Sequence, residues 1–189
     1  MKTFWTILVT LIVLAGGWLL LGITGFLQQG PADMTLAASQ AEAAPADSIT
    51  FQKLELSEEA WREKLTDKQY RILRQKGTET PFINEYFDTT EEGVYHCAAC
   101  GLPLYSSAHK YKSGTGWPSF WKPIQANVVE ERVDNSFFMT RTEIVCARCE
   151  SHIGHVFSDG PEPTGLRYCM NSAALTFTAS DESTAAEGR

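Results

Sequence analysis

The chain is 189 residues long, 43% hydrophobic and 11% aromatic, with five cysteines and a formal net charge of −7 at neutral pH. That acidic balance argues against a nucleic-acid partner, which needs a basic stripe to hold phosphates. Once the atypical first 50 residues are set aside, one domain of about 130 residues remains, small enough that a metal staple would help it fold.

In chain order, residues 4–27 carry no charge, and as a helix rising 1.5 Å per residue they would cross a hydrocarbon layer of about 30 Å. Residues 1–28 are therefore expected to be a membrane anchor. A cleaved signal segment, whose apolar region is usually ~7–15 residues, fits less well. Ala41-Glu42-Ala43 is only a loose small-x-small cleavage site, well past the apolar run. Lys2 precedes the run and Asp33, Glu42 and Asp47 follow it, so the positive-inside bias puts the domain outside the cytoplasm, facing the periplasm in a bacterium. Cleavage would make the protein secreted. Residues 29–50, rich in Ala, Pro, Gly and Gln, read as a flexible linker.

The domain is expected over residues 51–180. Thr66-Asp67-Lys68-Gln69 has the form of a capping box, with Leu65 and Tyr70 at the positions of a hydrophobic staple. A helix should run to about Lys76 and end on Gly77 as a left-handed cap. Beyond Gly93, short runs rich in β-branched and aromatic residues predict strands, among them 127–133, 136–144 and 175–177. Residues 181–189 are small and polar and read as a disordered tail.

Cys97-Ala98-Ala99-Cys100 and Cys146-Ala147-Arg148-Cys149 form two C-x-x-C pairs. Four thiolates on two tight turns suit tetrahedral zinc, and a closed set of four sulfurs makes that zinc structural. Gly101 lets the first turn close so that backbone N–H groups face the sulfurs. Redox or structural disulfides are the competing readings of the same pairs.

Cys169 is left over, and alone it could be an inert core thiol. In a strand, however, Arg167, Cys169 and Asn171 share one face. One cation at ~4 Å can supply the roughly 2.7 kcal/mol needed to lower a thiol pKa by ~2 units. His152 and His155 are surplus to four cysteine ligands and are candidates for proton transfer, with Asp159 on the next turn to orient them. Gly114-Thr115-Gly116-Trp117-Pro118 can present an indole to a small apolar group, although by itself the segment reads first as a turn with a core tryptophan.

Taken together, the first C-x-x-C-Gly, residues 113–120, His152-Ile153-Gly154-His155-Val156-Phe157 and residues 165–173 resemble the B-type, R-specific peptide-methionine sulfoxide reductases, over about residues 65–179. The resemblance implies a mainly β (α+β) fold of two antiparallel sheets with short N-terminal helices, and a zinc on the four paired cysteines. It further implies that Cys169 is the nucleophile and that His152, His155 and Asn171 bind the sulfoxide oxygen or a site water. Trp117 would pack on the substrate's S-methyl, with Arg167 and Asp159 orienting the polar cluster. An imidazolium near neutral pKa, first of all His155, would protonate the sulfoxide oxygen, and attack would leave Cys169 as a sulfenic acid. The chain departs from a common family pattern in having Thr115 where a resolving cysteine stands, so regeneration should require an external thioredoxin-like, glutaredoxin-like or small thiol. The rival from another class is a tethered zinc-knuckle interaction module without catalysis, which accounts for four cysteines but not for the fifth.

Overall fold

The computed structural model describes residues 48–180. The expected anchor, most of the linker and the tail from 181 lie outside the described residues. Among the described residues no helix is long and apolar enough to cross a membrane.

Two short helices open the domain. In α1 (Glu58–Lys64) the Ser57 hydroxyl accepts from the Ala60 N–H, and Glu58 and Glu59 in the first turn and Lys64 in the last complement the helix dipole. α2 (Asp67–Leu73) starts on the expected capping box: Thr66 accepts from the Gln69 N–H, and the Gln69 side chain accepts from the Thr66 N–H. Leu65 and Tyr70 are both buried. The helix stops at Leu73, short of the expected Lys76, and it is Lys76 that is left-handed, at φ 55. The Lys76 ammonium lies 2.7 Å from the buried carboxylate of Glu143. Gly77 contributes closeness of approach, since a Cβ there would stand 2.8 Å from the Arg71 carbonyl oxygen.

Nine strands follow: β1 (Gly93–Cys97), β2 (Pro103–Ser106), β3 (Lys110–Tyr111), β4 (Ser119–Phe120), β5 (Val129–Asp134), β6 (Arg141–Cys146), β7 (His152–Phe157), β8 (Arg167–Met170) and β9 (Leu175–Ala179). They form a three-stranded sheet, β2-β1-β9, and a six-stranded sheet, β3-β4-β8-β7-β6-β5, in which every pairing is antiparallel. The mainly β class with two antiparallel sheets is as expected. The strand expected over 136–144 is not one element: Ser136–Phe138 is a 3-10 turn at the β5–β6 hairpin tip, and β6 extends beyond it to Cys146. Apolar content misled there, because Phe138 and Met139 are exposed. The strand expected at 127 starts at Val129, after the 3-10 turn Ala126–Val128.

The sheets meet through aromatic side chains. Tyr105 of the smaller sheet stacks on Phe120 of the larger at 4.5 Å, and Tyr95 meets Phe120 edge-on at 5.1 Å. Each such ring buries roughly 150–250 Å². Trp61, Ile72 and Leu73 from the helices extend the same core.

Candidate active site and metal centre

The two C-x-x-C turns have the same backbone form. Cys97 N–H donates to the Leu102 carbonyl and Gly101 N–H to the Cys97 carbonyl, just as Cys146 N–H donates to Ser151 and Glu150 N–H to Cys146. Each turn needs a left-handed residue, Gly101 at φ 77 in one and Glu150 at φ 58 in the other. All four sulfurs lie within 4.8 Å of one another. The Cys97–Cys149 and Cys100–Cys146 separations are 3.7 and 3.6 Å, far from the ~2.05 Å of a disulfide and close to the ~3.8 Å edge of a tetrahedron with ~2.3 Å metal–sulfur bonds. The cluster can therefore hold a metal ion. It joins β1 of one sheet to the end of β6 in the other, and none of its cysteines lines the cavity described next.

That cavity, of about 120 Å³, is bounded by Trp117, Arg141, His155, Phe157, Cys169 and Asn171, with Thr78 and Met170. β8 is an interior strand, and register places Cys169 directly between Ser119 of β4 and His155 of β7. The floor is tight because a Cβ on Gly154 would stand 2.2 Å from the Cys169 carbonyl oxygen. Burial pushes the Cys169 thiol up, and the Thr115 hydroxyl and Arg167 oppose it without winning. Arg167 does lower it as expected, but burial outweighs that contribution and the net shift is upward. Its guanidinium is committed to both oxygens of Asp159 at 2.9 Å and lies 4.3 Å over the Phe157 ring. Asp159, for its part, orients Arg167 and neither histidine.

The histidines have other carboxylates. His152 Nδ1 is 2.8 Å from Glu143, which is 1% exposed, and His155 Nε2 is 2.8 Å from Asp134. A carboxylate accepts only, so each contacted nitrogen carries the hydrogen and the other ring nitrogen keeps a lone pair. His152 Nε2 is buried without a partner. Burial holds both histidines below their ordinary pKa, with Glu143 and Asp134 opposing. Neutral rings therefore replace the expected imidazolium in the resting site. The Asp134 carboxyl is held well below the usual range by Ser136 and His155.

Asn171 and Trp117 converge on the backbone of one residue, Glu79, that sequence reasoning missed. Glu79 N–H donates to Asn171 Oδ1 at 3.0 Å, and Trp117 Nε1 donates to the Glu79 carbonyl at 3.1 Å. The Glu79 side chain is buried, accepts from the Ala173 N–H at 3.0 Å and lies 2.6 Å from the Lys68 ammonium. Asn171 is completed by donation from Nδ2 to the Ile153 carbonyl at 3.1 Å.

Of the expected site residues, Cys169, His155, Asn171 and Trp117 meet in the cavity. His152 lies one ring behind, 5.3 Å from His155. Arg167 and Asp159 pair beside Phe157 without lining the cavity. Glu143, Asp134, Glu79 and Arg141 were not foreseen. A carboxylate directly before the apolar run Ile144-Val145-Cys146 was the only available signal for Glu143.

A family model for the SelR domain matches residues 65–179. A peptide methionine sulfoxide reductase MsrB of Hahella chejuensis is 56% identical over 129 residues, 68% of this chain and 93% of the relative. One of Methanosarcina mazei is 56% identical over 130 residues, 69% of this chain and 93% of the relative. One of Thiobacillus denitrificans is 58% identical over 121 residues, 64% and 92% of the two chains.

Proposed function

The chain belongs to the SelR-domain family of MsrB peptide methionine sulfoxide reductases, and from that premise we propose that it repairs proteins by reducing peptide-bound methionine (R)-S-oxide, with Cys169 as nucleophile. The observation that carries this is the placement of Cys169 opposite His155 in a cavity that also holds Trp117 and Asn171. A zinc-knuckle interaction module would leave that cavity unused.

The proton inventory of the resting site suits the reaction. Cys169 is a thiol and His155 is neutral, so the thiol supplies the one proton that the sulfoxide oxygen requires. His155 Nδ1 takes it from sulfur and returns it to oxygen, acting first as base and then as acid. The Cys169 sulfur attacks the sulfoxide sulfur, the S–O bond breaks, methionine leaves, and Cys169 is oxidised to sulfenic acid with the transferred oxygen and proton. Asn171, oriented at both ends of its amide, is the polar group placed to hold the oxygen, and the buried His152 Nε2, which keeps a lone pair, can only accept, from a site water. Trp117 receives the S-methyl.

With four cysteines at the metal centre and Thr115 next to Cys169, an external thiol attacks the sulfenic acid, releases water and forms a mixed disulfide that a second thiol resolves. Thioredoxin-like, glutaredoxin-like and small thiols all meet that requirement. The four-sulfur geometry fits zinc, which would staple the two sheets and take no part in the chemistry. The charge asymmetry around residues 4–27 supports a membrane-tethered domain facing the periplasm. The test is turnover on the separate R and S sulfoxides of a methionine peptide with a dithiol reductant. Reduction of the R form alone, lost in Cys169→Ser, is expected; equal turnover of both, or an active Cys169→Ser, overturns the proposal.

A further inference from the structure

The burial that raises the Cys169 pKa leaves a question of how the thiolate is carried once it forms. Three hydroxyls stand in a row against it. Thr115 Oγ1 is 3.8 Å from Cys169 Sγ, Ser113 Oγ is 2.8 Å from Thr115 Oγ1, and Ser113 Oγ is 2.7 Å from Ser119 Oγ. Ser119 is fully buried and faces Cys169 across the β4–β8 pairing. Gly114 at φ 75 and Gly116 at φ 85 give the loop the turn that aims Thr115 at the sulfur. The loop is pinned by the Gly116 carbonyl, which accepts from Phe82 N–H at 2.8 Å and Asn84 Nδ2 at 2.7 Å.

We propose that Ser113, Thr115 and Ser119 form a hydroxyl relay that stabilises the Cys169 thiolate, so that Thr115 is a functional residue of the nucleophile's site where a resolving thiol is absent. The proposal rests on Cys169 being the nucleophile. Each hydroxyl has one hydrogen, which gives the relay two orientations. With the thiol protonated, S–H donates to Thr115, Thr115 to Ser113, Ser113 to Ser119, and Ser119 to the Trp117 carbonyl at 3.1 Å. With the thiolate, the Thr115 hydrogen turns to sulfur and Ser113 turns to donate to Thr115. The thiol proton leaves to solvent when the free enzyme is titrated and to His155 during turnover, and in both cases each hydroxyl keeps its own hydrogen.

The charged and titratable groups around Cys169 have partners of their own, and of these only Arg167 joins the Thr115 and Ser119 hydroxyls in lowering the Cys169 pKa. Arg167 on the same strand is bound to Asp159, His155 on β7 is bound to Asp134, and Arg141 on β6 is 2.7 Å from Asp134. Tyr111 on β3 is held protonated by burial, which raises its pKa. Both the Thr115 and Ser119 hydroxyls act to lower the Cys169 pKa against burial.

The experiment is the pH dependence of Cys169 alkylation by iodoacetamide in the zinc-loaded full chain without sulfoxide, read by peptide mass spectrometry. Thr115→Val should raise the midpoint by about one pH unit or more, the expected effect of removing a hydrogen bond to a charged group. Ser119→Ala should shift it in the same direction, and Thr115→Ser should restore it to within about 0.3 unit. Midpoints in Thr115→Val and Ser119→Ala both within about 0.3 unit of wild type overturn the relay. So does a Thr115→Ser shift as large as that of Thr115→Val. Thr115 sits on a loop, so its variants carry the test if Ser119→Ala fails to fold. The titration is independent of turnover: an active Cys169→Ser would refute the nucleophile, whereas unchanged midpoints would refute only the relay.

Discussion

Replacing Glu79 with alanine perturbs the one residue whose backbone N–H and carbonyl hold Asn171 and Trp117. The lost carboxylate leaves the part-buried Ala173 N–H without its 3.0 Å acceptor, which costs up to about 1–3 kcal/mol, the range for a buried donor. The ion pair with Lys68 adds little, because that side chain is 58% exposed and screened pairs contribute about 0–1 kcal/mol. A total near 2 kcal/mol corresponds to a fall in Tm of roughly 4–10 °C for a domain of this size. The catalytic effect should exceed what stability explains. A displacement of ~1 Å in positioning groups costs about 100-fold in rate, so kcat/KM of Glu79→Ala should fall by between ~10- and ~100-fold at temperatures where the domain remains folded. Glu79→Gln keeps an oxygen for the Ala173 N–H and should stay within about tenfold of wild type. The assay is steady-state reduction of a methionine (R)-sulfoxide peptide, with zinc content and circular dichroism measured on the same samples. A folded, zinc-loaded Glu79→Ala with kcat/KM within about twofold of wild type would refute the claim that this segment positions the site.

Zinc should be present at about one per chain, and chelation should abolish cooperative unfolding, because the four sulfurs join the two sheets; substoichiometric metal with intact Cys97–Cys100 and Cys146–Cys149 disulfides would contradict this. One equivalent of sulfoxide without reductant should leave a dimedone-reactive sulfenic acid at Cys169 and no internal disulfide, whereas Thr115→Cys, placed where the hydroxyl is 3.8 Å from Cys169, should form one. Peptide mapping that finds Cys169 joined to a metal-centre cysteine in the wild type would refute that inventory. The His152 ring, lowered by burial, should titrate below 6.5 by NMR, and further below in Glu143→Gln, which removes the group opposing burial. Since the folded-state value lies below the unfolded one, the neutral ring stabilises fully above about pH 6.5 and that stabilisation is lost as pH falls through the lower folded value; titration above 6.5 would show that Glu143 outweighs desolvation. Membrane-extracted protein should have the intact mass of the uncleaved chain, and a mature start after Ala43 would identify a signal segment instead.

The capping box at Thr66 and the two cysteine turns were legible because their chemistry is local, with partners three to five residues apart. Cys169, His155, Asn171 and Trp117 could be named from motifs whose order survives in sequence, but what controls them could not. Asp134 reaches His155 from another strand, Glu143 reaches His152 across the β6–β7 pairing, and Glu79 meets Asn171 at a sequence separation of 92. The sign of the Cys169 shift was missed for a related reason. Strand alternation correctly placed Arg167 near the sulfur, but neither the engagement of Arg167 by Asp159 nor the depth of burial is encoded by spacing. Expecting a strand over 136–144 failed because exposed apolar side chains at a hairpin tip carry the same pattern as a half-buried strand.

Because β8 is hydrogen-bonded on both sides, by β4 and by β7, Cys169, if it is the nucleophile proposed above, cannot be carried out to a reductant by its strand. Its backbone is further tied by Met170 N–H to the Pro118 carbonyl and Asn171 N–H to the Ile153 carbonyl, each at 3.0 Å. Exposing Cys169 by moving the strand would break an interior ladder and leave buried peptide groups unpaired. The burden of motion therefore falls on the visitor: substrate and reducing thiol must enter the same cavity in turn. A reductant whose sulfur protrudes, or which is itself small, can complete the cycle, and one whose thiol lies in a recess is excluded by shape before chemistry is reached.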